Sequence, residues 1–188
     1  STPGDFRRLR TPVQPGKEIR IDVSGRGKPE RDTWKALVNV GSAKDILDST
    51  LQKRLRSVLQ EIGYRYVHFH GLLDDEIRIY SETSNGIPVF SFAYVDRILD
   101  FIVSLGAKPF LELSWMPRKL ASRPVYMFDA YHSKPKNQSK WNAMVKALLE
   151  HCIERYGREE VRSWPVQIWD TAYWDSWWND SFDDFCAF

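Results

Sequence analysis

Ala36-Leu37-Val38-Asn39-Val40-Gly41, followed by Ser42-Ala43-Lys44-Asp45, is the stretch that decides the fold. The first part is a short apolar run that stops at a glycine, as a buried strand does. The second part predicts a helix start, with a serine hydroxyl facing the free N–H groups and an aspartate in the first turn. Leu47, Leu51, Leu55, Val58 and Ile62 then mark one helical face, and Gly63 suits the helix end.

Outward from this unit the same grammar recurs. Tyr66–His70 predicts a second strand, and its loop runs long, through Asp74, Asp75 and Tyr80 to an Asn85-Gly86 turn. A second helix carries Val95, Ile98, Leu99 and Ile102, with Gly106 after it. Pro109–Leu113 predicts a third strand. Its loop opens at Met116-Pro117, reaches about Asn137, and holds Tyr126, Phe128, Tyr131 and His132. A third helix follows Ser139, with Met144, Val145, Leu148, Cys152 and Ile153 inward and Gly157 closing it. Val166–Trp169 predicts a fourth strand, and Trp174, Trp177 and Trp178 crowd the loop behind it. A further helix begins before Phe188.

Strands alternating with helices predict an α/β fold with a parallel sheet. The chain has 188 residues, short of the about 250 typical of a (β/α)8 barrel. The expected architecture is therefore TIM-barrel-like (β/α) units making about the first half of such a barrel. Long loops after the strands and short ones after the helices agree with a barrel whose strand ends form the functional face. A doubly wound open sheet is the alternative, and no glycine-rich first loop supports it. Residues 1–32 are expected to form an N-terminal arm, in which Glu18-Ile19-Arg20-Ile21-Asp22-Val23 alternates like an accessory strand. Residues 33–188 are expected to be the partial barrel.

Composition narrows the function classes. Aromatic residues make up 14% of the chain, enough to fill a large core or to line a cleft for flat or sugar-like ligands. The net charge of +2 comes from interspersed signs, which is no electrostatic footprint for nucleic acid. No apolar run is long enough to span a membrane. No secretory leader is seen, and a cytoplasmic location is expected. Cys152 and Cys186 are the only cysteines and form no disulfide framework. No His, Cys, Asp and Glu set has ligand spacing, so no metal and no cofactor are expected.

Three motifs carry a resemblance. They are Tyr66-Val67-His68-Phe69-His70-Gly71-Leu72-Leu73-Asp74-Asp75, then Lys108-Pro109-Phe110-Leu111-Glu112-Leu113-Ser114-Trp115-Met116-Pro117, and then His151 through Trp164 with Arg155-Tyr156-Gly157 and Glu159-Glu160-Val161. In this order they resemble glycoside hydrolase family 39, the β-xylosidases and their α-L-iduronidase relatives. The resemblance covers Trp34 to the C-terminus and implies a (β/α)8 barrel. It also implies a fourth strand ending in Trp-Asn-Glu-Pro, where the Asn binds the sugar 2-hydroxyl and the Glu is the general acid/base. Here that place reads Trp169-Asp170-Thr171-Ala172. Thr171 stands at the acid/base position, and a threonine hydroxyl has no pKa near neutrality. Retaining chemistry needs two carboxyl groups about 5–5.5 Å apart, and the family's nucleophile, on a seventh strand, is expected beyond this chain. The family's Arg two residues before the second-strand histidine is His68 here.

The expected consequence is a degenerate active site with no catalytic residue. It leaves a carbohydrate-binding or sugar-sensing module whose candidate contacts are His70, Trp115, Trp169, Asp170, Thr171 and Trp174. Its ligand would be xylose- or xyloside-like. The resemblance extends to barrels inside bacterial AraC-type transcription regulators, where DNA would be met only through a domain outside this chain. A fragment of an active retaining glycosidase is one alternative, with Asp170 as a displaced acid. A structural interaction domain without a small ligand is the other. Glu112 is expected to orient a basic residue rather than touch ligand. The pairs Asp74-Asp75 and Asp183-Asp184 are expected to be solvated loop charge or helix-start residues. Two open sheet edges predict a homodimer closed about a two-fold axis.

Overall fold

A computed structural model describes residues 32–123, 126–127, 130–171 and 177–188. The N-terminal arm and its expected strand lie outside the described residues. After a 3₁₀ turn at Asp32–Lys35, β1 spans Leu37–Ser42. A second 3₁₀ turn, Ala43–Leu47, leads into α1, Ser49–Ile62. The helix expected from Ser42 thus starts later. Ser42 makes no capping bond, and Asp48 accepts from the N–H groups of Thr50 (2.8 Å) and Leu51 (2.9 Å). An aspartate one residue before the first helical turn satisfies two otherwise orphaned donors.

β2, Tyr66–His70, is followed by a hairpin of β3 (Tyr80–Glu82) and β4 (Pro88–Phe90). The loop predicted there is therefore partly strand. α2 is Ala93–Ser104 and β5 is Lys108–Glu112. A second small hairpin follows, with β6 at Tyr126–Met127 and β7 at Ala130–Tyr131. α3, Gln138–Tyr156, is capped by Asn137, which accepts from Lys140 N–H at 3.0 Å. The short α4, Arg158–Arg162, precedes β8, Val166–Gln167. α5, Phe182–Ala187, opens on a capping box between Ser181 and Asp184, so Asp184 is a helix-start residue.

Among the described residues the main sheet is β1-β2-β5-β8 and every pairing is parallel. The chain is thus α/β, built from adjacent barrel-like (β/α) units. Alternation along β2 and β5 buries Val67, Phe69 and Leu111 completely on the helical side. There they join Leu55 and Leu59 of α1, Val95, Ile98, Leu99 and Ile102 of α2, and Met144, Leu148 and Cys152 of α3. Leu59, four residues after Leu55, completes the α1 stripe. The alternate residues Tyr66, His68 and His70 are half-buried on the other face.

β8 is shorter than the predicted Val166–Trp169. Trp169 has a left-handed φ of 65°, which ends the extended run. Val166 and Ile168 at this sheet edge are 50% and 52% exposed. None of the described helices is long and apolar enough to cross a membrane.

Candidate functional site

In a parallel barrel sheet, groups just past the C-terminal ends of the strands meet on one face. Four strand ends supply this face here. β2 ends at His70 and turns at Gly71, whose φ is +72°. β5 ends at Glu112 and delivers Ser114 and Trp115, joined by a cis peptide. β8 delivers Trp169, Asp170 and Thr171.

The β2 and β5 ends are laced together. Gly71 N–H donates to Ser114 Oγ (3.1 Å), and Leu73 N–H donates to the Ser114 carbonyl (2.7 Å). Ser114 Oγ in turn donates to Glu112 Oε1. The other carboxylate oxygen of Glu112 lies 3.0 Å from His68 Nε2. Glu112 is fully buried. It thus orients a basic side chain, as expected of it, and that side chain is His68. The order is serine, carboxylate, imidazole. A nucleophilic triad needs the imidazole in the middle, so this cluster is a brace rather than an activated serine.

Trp115 is the hub of the face. Its ring centroid is 5.8 Å from His70, 4.3 Å from His132, 5.3 Å from Trp169 and 5.0 Å from Trp177. Its contact with Trp169 is edge-to-face, a favourable geometry for aromatic pairs. Trp115 is 3% exposed and Trp169 2% exposed. Both rings therefore form a wall packed from several sides. The accessible polar groups beside them are His70, Asp170 and Thr171, each half-buried. Thr171 Oγ1 donates to Asp170 Oδ1 at 2.8 Å, and Gln167 Nε2 donates to the Trp169 carbonyl at 2.8 Å. Trp174 lies outside the described residues.

Two members of the face were not among the sequence-derived candidates. His132 is completely buried against Trp115. Trp177 accepts the Trp169 indole N–H at its carbonyl, 2.6 Å away. Both come from long loops, where no periodicity exists to point inward or outward. Those loops are tied to each other: Asn179 N–H donates to the His132 carbonyl (2.6 Å), and Lys134 N–H to Asp180 Oδ2 (2.7 Å).

Asp74 corrects an expectation. The Asp74-Asp75 pair was to be solvated, and Asp75 is indeed exposed, accepting from Arg118 N–H. Asp74 is only 9% exposed. Burial, helped by the charge of Glu76, pushes its carboxyl up to about 7, while Lys44 and the Trp115 N–H pull the other way. Among the described residues no cluster of His, Cys, Asp and Glu could hold a metal ion.

Comparison with known proteins places this geometry. The sequence model for glycosyl hydrolases family 39 matches residues 17–186. A β-xylosidase of Geobacillus stearothermophilus is 35% identical over 170 residues, covering 88% of this chain and 34% of the relative. A β-xylosidase of Caldicellulosiruptor saccharolyticus is 34% identical, covering 81% of this chain and 32% of the relative. The crystal structure of a monomeric β-xylosidase from Caulobacter crescentus CB15 superposes with a TM-score of 0.73 at 25% identity, covering 78% of this chain and 30% of that one. The chain spans about a third of the length of these relatives.

Proposed function

The chain belongs to glycosyl hydrolases family 39, and from that premise we propose that it is a β-xylosidase-like glycosidase module that receives a β-xyloside at its strand ends. The single observation that carries this reading is the convergence of β2, β5 and β8. They bring His70, the Trp115 wall and the Asp170-Thr171 pair to one end of a parallel sheet. His70 and Asp170 offer hydrogen-bond partners for sugar hydroxyls, and the indole edges supply an apolar floor. Glycoside hydrolysis in this class uses two carboxyl groups. Asp170 is the carboxyl this face provides, and Thr171 beside it is a donor that holds the Asp170 side chain. The relatives are named as glycosidases, so a role inside an AraC-type regulator is not carried forward.

A second reading is favoured by one observation: the side chain at position 171 is a hydroxyl. A positioned general acid contributes typically 10²–10⁴-fold, and threonine is no such acid. On this reading the module binds sugar without turning it over.

One experiment tests both. Methyl β-D-xyloside is titrated by NMR while p-nitrophenyl β-D-xyloside is assayed for release of the phenol. Saturable shifts at His70, with a dissociation constant of millimolar order (about −4 kcal/mol), are expected on either reading. Phenol release above buffer, lost in Asp170→Ala, supports the hydrolase. Binding without release supports the second reading. Absence of both overturns the proposal.

A further inference from the structure

Gly71 turns the chain just after His70, and the space where its side chain would stand is taken. A Cβ there would lie 2.6 Å from Asp74 Oδ2 and 3.5 Å from Trp115 Cδ1. The Asp74 carboxylate therefore sits in the angle between the β2 turn and the Trp115 indole. It also accepts the main-chain N–H of Trp115. A carboxylate this deeply buried needs such partners.

We propose that Asp74 is a positioning residue for Trp115: its carboxyl holds the Trp115 main chain, more tightly as an anion than as a neutral acid. Hydrogen bonds to a charged acceptor are roughly twice as strong as neutral ones. Neighbouring bonds keep the two strand ends docked in either state, because Leu73 N–H to the Ser114 carbonyl and Gly71 N–H to Ser114 Oγ involve no carboxyl of Asp74. The change is thereby confined to the Trp115 end. Trp115 carries contacts to His70, His132, Trp169 and Trp177, so the whole ring set feels it.

The groups that face Asp74 set where the proton leaves. Glu76 and Asp75 disfavour the anion, and Lys44 favours it. Lys44 is itself held by Glu76 at 2.7 Å, which divides its field. His70 and His132 lie on the Trp115 ring and titrate independently of Asp74. The midpoint falls at about 7, where burial places it. This inference rests on contacts within the chain and stands whether or not a sugar binds.

The test is NMR on the full chain from about pH 5 to about pH 9. It follows the Asp74 carboxyl carbon and the Trp115 backbone amide proton in the wild type, Asp74→Asn and Asp75→Asn. The carbon and the amide proton are expected to share one midpoint, with the amide moving downfield as pH rises. Asp75→Asn should keep that step and Asp74→Asn should abolish it. A carboxyl carbon titrating in the range of an exposed aspartate overturns the proposal. So does an amide step that persists in Asp74→Asn, which would assign it to a histidine. Should Asp74→Asn lose its near-UV circular dichroism and fail to fold, the two wild-type midpoints decide alone, and unequal midpoints overturn the proposal.

Discussion

The two halves of the strand-end face are held by different means. Where β2 meets β5, fully buried groups answer one another across the sheet: His68, Glu112 and Ser114 in the floor, then Gly71, Leu73 and Asp74 against Ser114 and Trp115. Where β8 ends, the bonds of the polar residues are local. Thr171 bonds to its neighbour Asp170, and Gln167 bonds two residues on. β8 pairs with β5 through only Leu111–Val166 and Glu112–Gln167. Two residues there, Trp169 and Thr171, have left-handed φ values that favour glycine. The first region is over-determined and the second is strained. Strain of this kind persists where the surroundings enforce it and is concentrated at functional sites.

The comparison breaks most sharply at Glu112. Removing a fully buried carboxylate orphans both His68 and Ser114, and breaking such a buried pair costs about 3–5 kcal/mol. Glu112→Ala is expected to lower the urea midpoint by that equivalent, and Asp170→Ala, half-buried at the β8 end, by under about 1 kcal/mol. Equal losses would erase the distinction between the regions.

Next comes the pH dependence of stability, which belongs to the β2–β5 region through Asp74. Its folded pKa, about 7, is raised above the ordinary 3.8. Between these values the folded state holds a proton that the unfolded state has lost. The stabilisation is therefore complete below the unfolded pKa and is lost as pH rises through the folded one. Urea midpoints should fall from about pH 4 to about pH 7, with up to about 4 kcal/mol at stake for a shift of this size. Asp74→Asn should flatten this window. A wild-type profile rising through the same window would contradict the burial-driven shift.

A smaller effect is expected at Gly71. Gly71→Ala forces a left-handed alanine and drives the Asp74 carboxyl off Trp115, because the new Cβ meets Oδ2 at 2.6 Å. Gly106, also left-handed at +76°, has open space around it. Gly71→Ala should cost about 2–3 kcal/mol and Gly106→Ala about 1 kcal/mol. Their difference, read from thermal unfolding, measures the crowding at the Asp74 contact.

How much of this was legible beforehand follows from the range of each interaction. The strands and the inward stripes of α1, α2 and α3 were readable, because periodicity is a local signal and Val67, Phe69, Leu111 and Leu148 obey it. The capping of α1 was misplaced from Asp48 to Ser42, since both residue types favour that role and only the backbone chooses. The hairpins β3–β4 and β6–β7 are too short to show a period. Asp74 was read as solvent-facing because what buries it, Gly71 and Trp115, is assembled by strand pairing some forty residues along. His132 and Trp177 escaped for the same reason. Trp169 was extended into β8 on its apolar character, whereas its φ already leaves the strand.

The smallest expected effect has the opposite sign. At the β2–β5 junction the substitutions above destabilise. At the β8 end one substitution should stabilise. Thr171 is β-branched and held at φ 46°, a conformation that crowds a branched side chain and that asparagine tolerates. Thr171→Asn keeps a hydrogen-bond donor for Asp170 and relieves the backbone. Its gain should be modest, under about 1 kcal/mol, because the site is half-buried and the unfolded chain changes as well. Thermal unfolding reads the sign, and xyloside titration of the same variant reads what the strain is for. A more stable protein with weakened xyloside binding means that the strained turn aims the Asp170-Thr171 pair at the ligand. A more stable protein with unchanged binding means that this turn is a relic of the scaffold and that His70 and the Trp115 wall hold the sugar. A loss of stability would show that the Thr171 methyl or its bond to Asp170 outweighs the strain, and the contrast between the two regions would then be one of degree.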